Sequence, residues 1–478
     1  MGTGAGPSGG ATRSAQGGNG APLVSVLAIT ASLCVGWGDA LTYGQYGGAS
    51  IALVIAGVIL VWVANWPRYA NRLVAQRHVR LGLGVAFSAS FVAAIKFRGG
   101  IYARGPALSV SVVLVIVAAS AALIFVVFRF PEQALASTIL LIGGASIAMV
   151  IASPAPRIDV WDMYQAVSRG LLHGHNVYTQ HWQPHLPGQA TIYAYFPGAA
   201  VVLAPFYALF GDVRFGVVLA LLGSAVLIWR AARNPQSAVF AALLLLYPLL
   251  TFSVEQSWSE PLSLLALLLV AWAVRSQRSG WAIVAFAVLL TFQQYDLIFV
   301  PLAAAWKDFG WRRTGLSAVL AAAFIAPWAL AAPHAFVQGT FTYNVHYAFS
   351  FLSLSIFHPL SQVSGVLAYL VLGAGVTVAL VAAMRNVHKG GSFLMGCGLV
   401  LMTLNIVDKV SRFNEWELAA ALVLAAGSEA LGSVAVRGAA SAPSGDETFE
   451  HRRRREARLG GAVGAAQTNR CPITNAST

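Results

Sequence analysis

Side chains able to move a proton or hold a hydroxyl stand out in this chain because so little of it is charged. Of its 478 residues, 10% are Asp, Glu, Lys or Arg and 58% are hydrophobic. Yet residues 154–182, PAPRIDVWDMYQAVSRGLLHGHNVYTQHW, hold two of the 17 acids, Asp159 and Asp162, and three of the ten histidines. A carboxylate within hydrogen-bond reach of a hydroxyl can take its proton as that oxygen attacks. Asp159 is the first candidate for such a base and Asp162 the second. Arg157, Tyr164, Gln165, Tyr178 and His181 stand around them in the sequence as groups that can bind a polar substrate. Two other polar runs break apolar ground. EQSWSE (255–260) contributes Glu255, Trp258 and Glu260, and QQYD (293–296) contributes Gln293, Gln294 and Tyr295. An acid at membrane depth is costly and by default a functional candidate, although Glu260, directly before Pro261, also suits a helix start. Phe341, Tyr343, His346 and Tyr347 suit either sugar stacking or an interfacial aromatic belt.

His173, His175, His181 and His185 fall within thirteen residues, but their spacing matches no zinc signature, so no divalent metal is expected. Cys34, Cys397 and Cys471 form no metal or disulfide pattern.

The elements that must carry these groups are membrane helices. A soluble domain has about 25% charged residues, so a chain with 10% reads as an all-α, polytopic bundle. Apolar runs of spanning length cover 22–40, 49–66, 81–97, 107–128 and 134–153, and later ones cover 314–331, 362–384, 392–410 and 416–436, for about 12–14 membrane segments. Arg68, Arg72, Arg77 and Arg80 mark a cytoplasmic loop, which puts Pro154 onward on the outer face. Two segments are ambiguous. Either both 195–210 and 281–306 cross fully, or 195–210 is a re-entrant or surface helix on the outer side and 281–306 is a bent pair of short helices that meet at QQYD, facing outward. The second version leaves Arg230, Arg233, Arg275, Arg278, Lys307, Arg312 and Arg313 on the cytoplasmic side, as the charge rule prefers.

Val160, Tyr164, Val167 and Leu171 recur at helical spacing, so 160–172 reads as an amphipathic helix on the outer membrane surface, ended by Gly174. Asp159 is then its N-cap, and Asp162 complements the positive helix end. Neither duty excludes catalysis. The expected divisions are a disordered cytoplasmic tail at 1–21, a membrane module at 22–153, an outer catalytic loop at 154–213, a membrane bundle at 214–437 and a disordered basic tail at 438–478. That tail carries Arg452 to Arg455 and Arg458, and its expected partners are anionic lipids. No soluble basic fold accompanies the cations, so nucleic acid is not an expected partner. The basic stretch before the first apolar run is thin, so no cleaved leader is expected.

Asp159, Ala166 seven residues on, then LLHGHNVY and, after a spacer, YAYFPG resemble the first outer loop of GT-C glycosyltransferases. These include mannosyl- and arabinofuranosyltransferases that use polyprenyl- or dolichyl-phosphate donors. The likeness covers about 180–330 well and the rest by architecture. It implies that the Asp opening the loop is the base, followed by a surface helix, a G-x-x-P-Y step and an aromatic-Pro step. Here Val177 stands where the family has Pro before Tyr178. About five helices precede the loop where the family has one. A family Lys that meets the donor phosphate is replaced near Gln293, leaving Arg157, Arg169 or Arg412 for that task.

The expected function is transfer of mannose or arabinofuranose from a polyprenyl-phosphate donor to a lipid-linked or wall glycan, outside a bacterial cell membrane. No Gly-rich nucleotide cradle is present, which fits a lipid donor. The alternative is a transporter or flippase, whose signature would be paired repeats with broken helices at matching positions. No strong repeat is visible.

Overall fold

A computed structural model describes residues 20–70, 72–183, 191–232, 234–346, 353–389 and 392–440. About 80% of the described residues are helical. The first five apolar runs become helices α1 (Leu23–Thr42), α2 (Gly48–Ala64), α3 (Gln76–Lys96), α4 (Gly105–Val127) and α5 (Pro131–Ala152). Leu, Val, Ile and Ala fill them, and Pro at the first turn of α4 and α5 presets the helical φ. A short antiparallel ladder, β1 (Gly20–Pro22) on β2 (Leu73–Ala75), ties the chain before α1 to the Arg-rich loop. Of the tail expected at 1–21, Gly20 and Ala21 are thus paired in this ladder. The rest of that expected tail, and the stretch after Ala440, lie outside the described residues.

Next come α6 (Asp159–Leu172), α7 (Gly198–Phe210), α8 (Arg214–Ala232), α9 (Gln236–Leu245), α10 (Leu250–Gln256) and α11 (Glu260–Arg275). They are followed by α12 (Ser279–Leu289), a 3-10 turn at Gln294–Phe299, α13 (Val300–Ala305), α14 (Gly310–Ala331), α15 (Gly365–His388), α16 (Phe393–Val407) and α17 (Phe413–Ala440). Among the described residues, seven helices (α1, α3, α4, α5, α8, α14 and α15) are long and apolar enough to cross a membrane. The pair α9 and α10, bent by 50°, is either a broken span, which would make eight, or a re-entrant loop. This is fewer than the 12–14 segments expected. Helices such as α2 and α16 are apolar but have only 17 and 15 residues.

Contacts at the helix ends assign two faces. At one, Gly198 N donates to Thr291 O (2.8 Å), Gln293 reaches Ser259 and Glu260, and Ser353 Oγ donates to Lys409 O (3.3 Å). At the other, Leu23 N donates to Arg72 O (2.9 Å), Asn386 Nδ2 donates to Asn65 Oδ1 (2.7 Å), Arg275 pairs with Glu429 (2.7 Å), and Trp306 stacks on Phe393 (4.6 Å). Both ends of α7 stay on the first face, because Gly211 O accepts from Gln165 Nε2 (3.2 Å) on α6. The segment 279–305 starts at the second face, turns at Gln293 on the first, and returns to Trp306. With 11 residues, α12 rises about 16 Å, half of an apolar core of about 30 Å. In each segment the two ends thus meet the same set of helix ends.

Helix α6 starts at Asp159, with Ile158 as N-cap. Its apolar face does not rest on lipid: Val160, Tyr164 and Val167 are buried in the protein core, and the helix packs on α7. Arg214, at the start of α8, is wholly buried. It forms an ion pair with Asp212 (2.6 Å) and donates to Ser153 O (2.8 Å) at the end of α5. This clamp fixes the angle at which the chain leaves α5 for α6.

Candidate functional site

Asp159 is the first residue of α6, and Val160 N donates to its Oδ1 (2.9 Å). Its Oδ2 accepts nothing among the described residues. The N-cap duty falls to Ile158, whose extended backbone (φ −128°, ψ 134°) opens the helix without a side-chain bond. Asp159 therefore adds a negative charge to the first turn, where the helix dipole favours it.

This carboxylate lines a cavity of about 280 Å³. Trp258 and Glu260 come to it from the start of α11. Gln293, Gln294 and Tyr295 come from the turn between α12 and α13, and Tyr195 from the segment before α7. Tyr343 and Asn344 close one side, and Asp408, Lys409, Arg412, Asn414 and Glu415 close another. The three polar interruptions of the sequence thus meet in space.

Glu260, 5% exposed, is the hub. Its Oε1 accepts from Asn414 Nδ2 (2.6 Å), Tyr295 OH (3.2 Å) and Gln293 Nε2 (3.3 Å). Gln293 Nε2 donates also to Ser259 Oγ. Glu260 Oε2 and Asn414 Oδ1 are buried and accept no hydrogen bond among the described residues. Buried polar atoms are rarely left unbonded, so two orphan acceptors on the lining of one cavity suit a ligand with hydroxyl donors. Lys409 Nζ donates to Val345 O (3.0 Å) and Asn344 O (3.3 Å), which uses two of its three donors. Burial pushes the Asp408 carboxyl up to about 6. Tyr195, its hydroxyl held protonated first by burial and then by the charges of Glu260 and Asp159, is itself placed by Tyr178, whose hydroxyl donates to Tyr195 O (3.0 Å).

Several expected site residues do other work. Tyr164 stacks on Tyr195 (6.1 Å) and is fully buried. Tyr178 positions backbone, and Gln165 ties α6 to the turn before α8. Asp162 is buried and does not line the cavity. Arg157 and His181 are exposed and do not line it either. Glu255 is a correction of a different kind. It is fully buried, and its carboxylate accepts from the backbone N–H of Ile101 (2.7 Å), Tyr102 (2.8 Å) and Ala103 (2.6 Å), so it shapes the α3–α4 loop. A Cβ at Gly100 would meet Glu255 Oε1 at 2.6 Å, which is why that loop needs glycine there. Gln294 lines the cavity, yet its amide nitrogen donates to Ala194 O and Thr340 O (2.9 Å each). The side chains of His346 and His185 lie outside the described residues. Among the described residues, no group of three His, Cys, Asp or Glu could hold a metal.

Sequence reasoning passed over Lys409, Asn414 and Glu415. The run DKVSRFNE (408–415) between two apolar segments is the same kind of signal as QQYD and would have marked them.

Fold and composition define an all-α, multi-pass membrane protein. Comparison with protein-family models, with curated proteins and with solved structures gave no match.

Proposed function

We propose that the chain is a GT-C-type glycosyltransferase that moves mannose or arabinofuranose from a polyprenyl-phosphate donor to a lipid-linked or wall glycan. The observation that carries this reading is one cavity that brings together Asp159, the acceptors Glu260 Oε2 and Asn414 Oδ1, which have no partner among the described residues, and the cations Lys409 and Arg412. Asp159 takes the proton of the acceptor hydroxyl as its oxygen attacks the anomeric carbon. The anomeric C–O bond to phosphate breaks, its electron pair leaves on the polyprenyl phosphate, and the configuration inverts. Lys409 and Arg412 offset the charge that grows on the leaving phosphate. Glu260 and Asn414 hold the sugar hydroxyls, and Trp258 offers the ring an apolar face. Most of the cations among the described residues gather at the helix ends opposite the cavity, so the positive-inside bias makes the cavity extracytoplasmic. The broken segments at 246–249 and 290–299 favour a second reading as a transporter, since discontinuous helices at a binding site are a transporter habit.

The test is transfer of labelled sugar from polyprenyl-phosphate mannose or arabinofuranose in reconstituted vesicles. Asp159→Asn is expected to lower turnover at least about 100-fold while the protein stays monodisperse and keeps its thermal transition. Full transfer by that variant would remove Asp159 from the mechanism. Movement of label across the bilayer without transfer would make the protein a transporter.

A further inference from the structure

A second cavity, of about 350 Å³, opens at the face of the bundle opposite the site above. Trp62, Asn65 and Trp66 line it from the end of α2, and Ala382, Arg385, Asn386 and Lys389 from the end of α15. It is held open from behind. Asn386 Nδ2 donates to Asn65 Oδ1 (2.7 Å), and Trp62 Nε1 donates to Thr403 Oγ1 (3.2 Å) on α16. Both flanking helices show apolar side chains outward, with Ile59 56% and Val381 40% exposed. The crevice is therefore bounded by surface that belongs in lipid.

Its chemistry changes with depth. Trp62, Ala382 and the aliphatic stems of the cations make an apolar slot. At the mouth stand Arg385 and Lys389, both exposed, and neither side chain forms an ion pair or hydrogen bond among the described residues. No carboxylate lines the crevice. Trp66, 56% exposed, lies where an interfacial indole belongs. Two cations over an apolar slot, next to exposed tryptophan, match one occupant: a phospholipid with a net negative headgroup and an acyl chain.

We propose that this crevice binds one anionic phospholipid, with its phosphate on Arg385 and Lys389 and its chain along Trp62 and Ala382. The site is independent of the sugar-transfer reading. Last-turn cations also complement the helix dipole, but that duty needs no cavity, and the test separates the two.

Full-length protein in mild detergent would be offered equal phosphatidylglycerol and phosphatidylcholine, and bound lipid read by native mass spectrometry. The wild type is expected to retain one phosphatidylglycerol. Arg385→Gln/Lys389→Gln is expected to lower that retention about 30-fold, at the usual worth of two cations near a membrane surface. Ala382→Trp, which fills the slot and leaves the charge unchanged, should lower it comparably. Arg312→Gln/Arg313→Gln, at the same face but outside the crevice, should keep wild-type retention. The proposal fails if phosphatidylcholine is held equally, or if the Arg312/Arg313 variant loses as much as the Arg385/Lys389 variant. It fails too if neither crevice variant loses lipid, or if glycerol phosphate at equal concentration displaces the lipid. If Ala382→Trp does not fold, the charge pair and its control still decide.

Discussion

Asp408 sits in the short connection between α16 and α17, with its Oδ1 accepting from Lys409 N (2.7 Å). Burial raises its carboxyl from 3.8 to about 6. A carboxyl that holds its proton more tightly folded than unfolded favours the folded state at low pH. That contribution is complete below about pH 4 and is lost as pH rises through about 6. Thermal unfolding in detergent should therefore show the wild type losing stability between pH 4 and pH 7. Asp408→Asn should show a flatter profile over the same window. Equal slopes would mean that Asp408 is as well solvated folded as unfolded. Single residues also show where sequence reading stops. Asp159, Trp258, Glu260 and Gln293 were legible because a polar group in apolar ground needs a reason. Glu255 met the same criterion and serves the α3–α4 loop, because a polar interruption does not reveal whether its partner is a ligand or three backbone amides. Lys409 and Asn414 were passed over because the run 408–415 fell between and partly within two expected spans, 392–410 and 416–436.

At the scale of elements, the angle between α5, α6 and α8 decides whether Asp159 faces the cavity at all. Arg214 holds that angle through Asp212 and the carbonyls of Ser153 and Val150, with its guanidinium 5.7 Å from the ring centre of Trp161. Removing one member of a buried pair leaves the other charged, buried and unpaired, which costs about 3–5 kcal/mol. Arg214→Ala should lower the unfolding temperature sharply. Arg214→Ala/Asp212→Ala should recover part of the loss, since no lone charge then remains. If the double variant is no more stable than the single one, the carbonyl contacts rather than the pair carry the clamp. The helix over 160–172 was legible from its spacing, and its end at Gly174 (φ 77°) follows the expected left-handed stop. Its surroundings were not, because an apolar stripe fits lipid and protein equally well, and α7 covers it here.

For the whole molecule, hydrophobic length located the helices but not the number of crossings. Runs of 195–210 and 281–306 are long enough to be read as spans, and only the fold shows that the two ends of each meet the same set of helix ends. Gly198 reaches Thr291, Gln293 reaches Glu260, and Trp306 reaches Phe393. Short, broken helices survive at membrane depth only where neighbouring protein satisfies their backbone, and Phe286, Phe299 and Leu302 are indeed buried. This arrangement fixes a parity that can be measured. Arg278 and Lys307, before and after the broken segment, must share one side of the membrane, and His175 must lie on the other. With Cys34, Cys397 and Cys471 replaced by serine or alanine, single cysteines at these three exposed positions would be treated with a membrane-impermeant maleimide in sealed cells and in inverted vesicles. Arg278→Cys and Lys307→Cys should label only in inverted vesicles, and His175→Cys only in sealed cells. Labelling of the first two from opposite sides would make 279–305 a full crossing. All three reversed would keep the fold but turn the cavity toward the cytoplasm, where a polyprenyl-phosphate sugar made there would meet it before translocation.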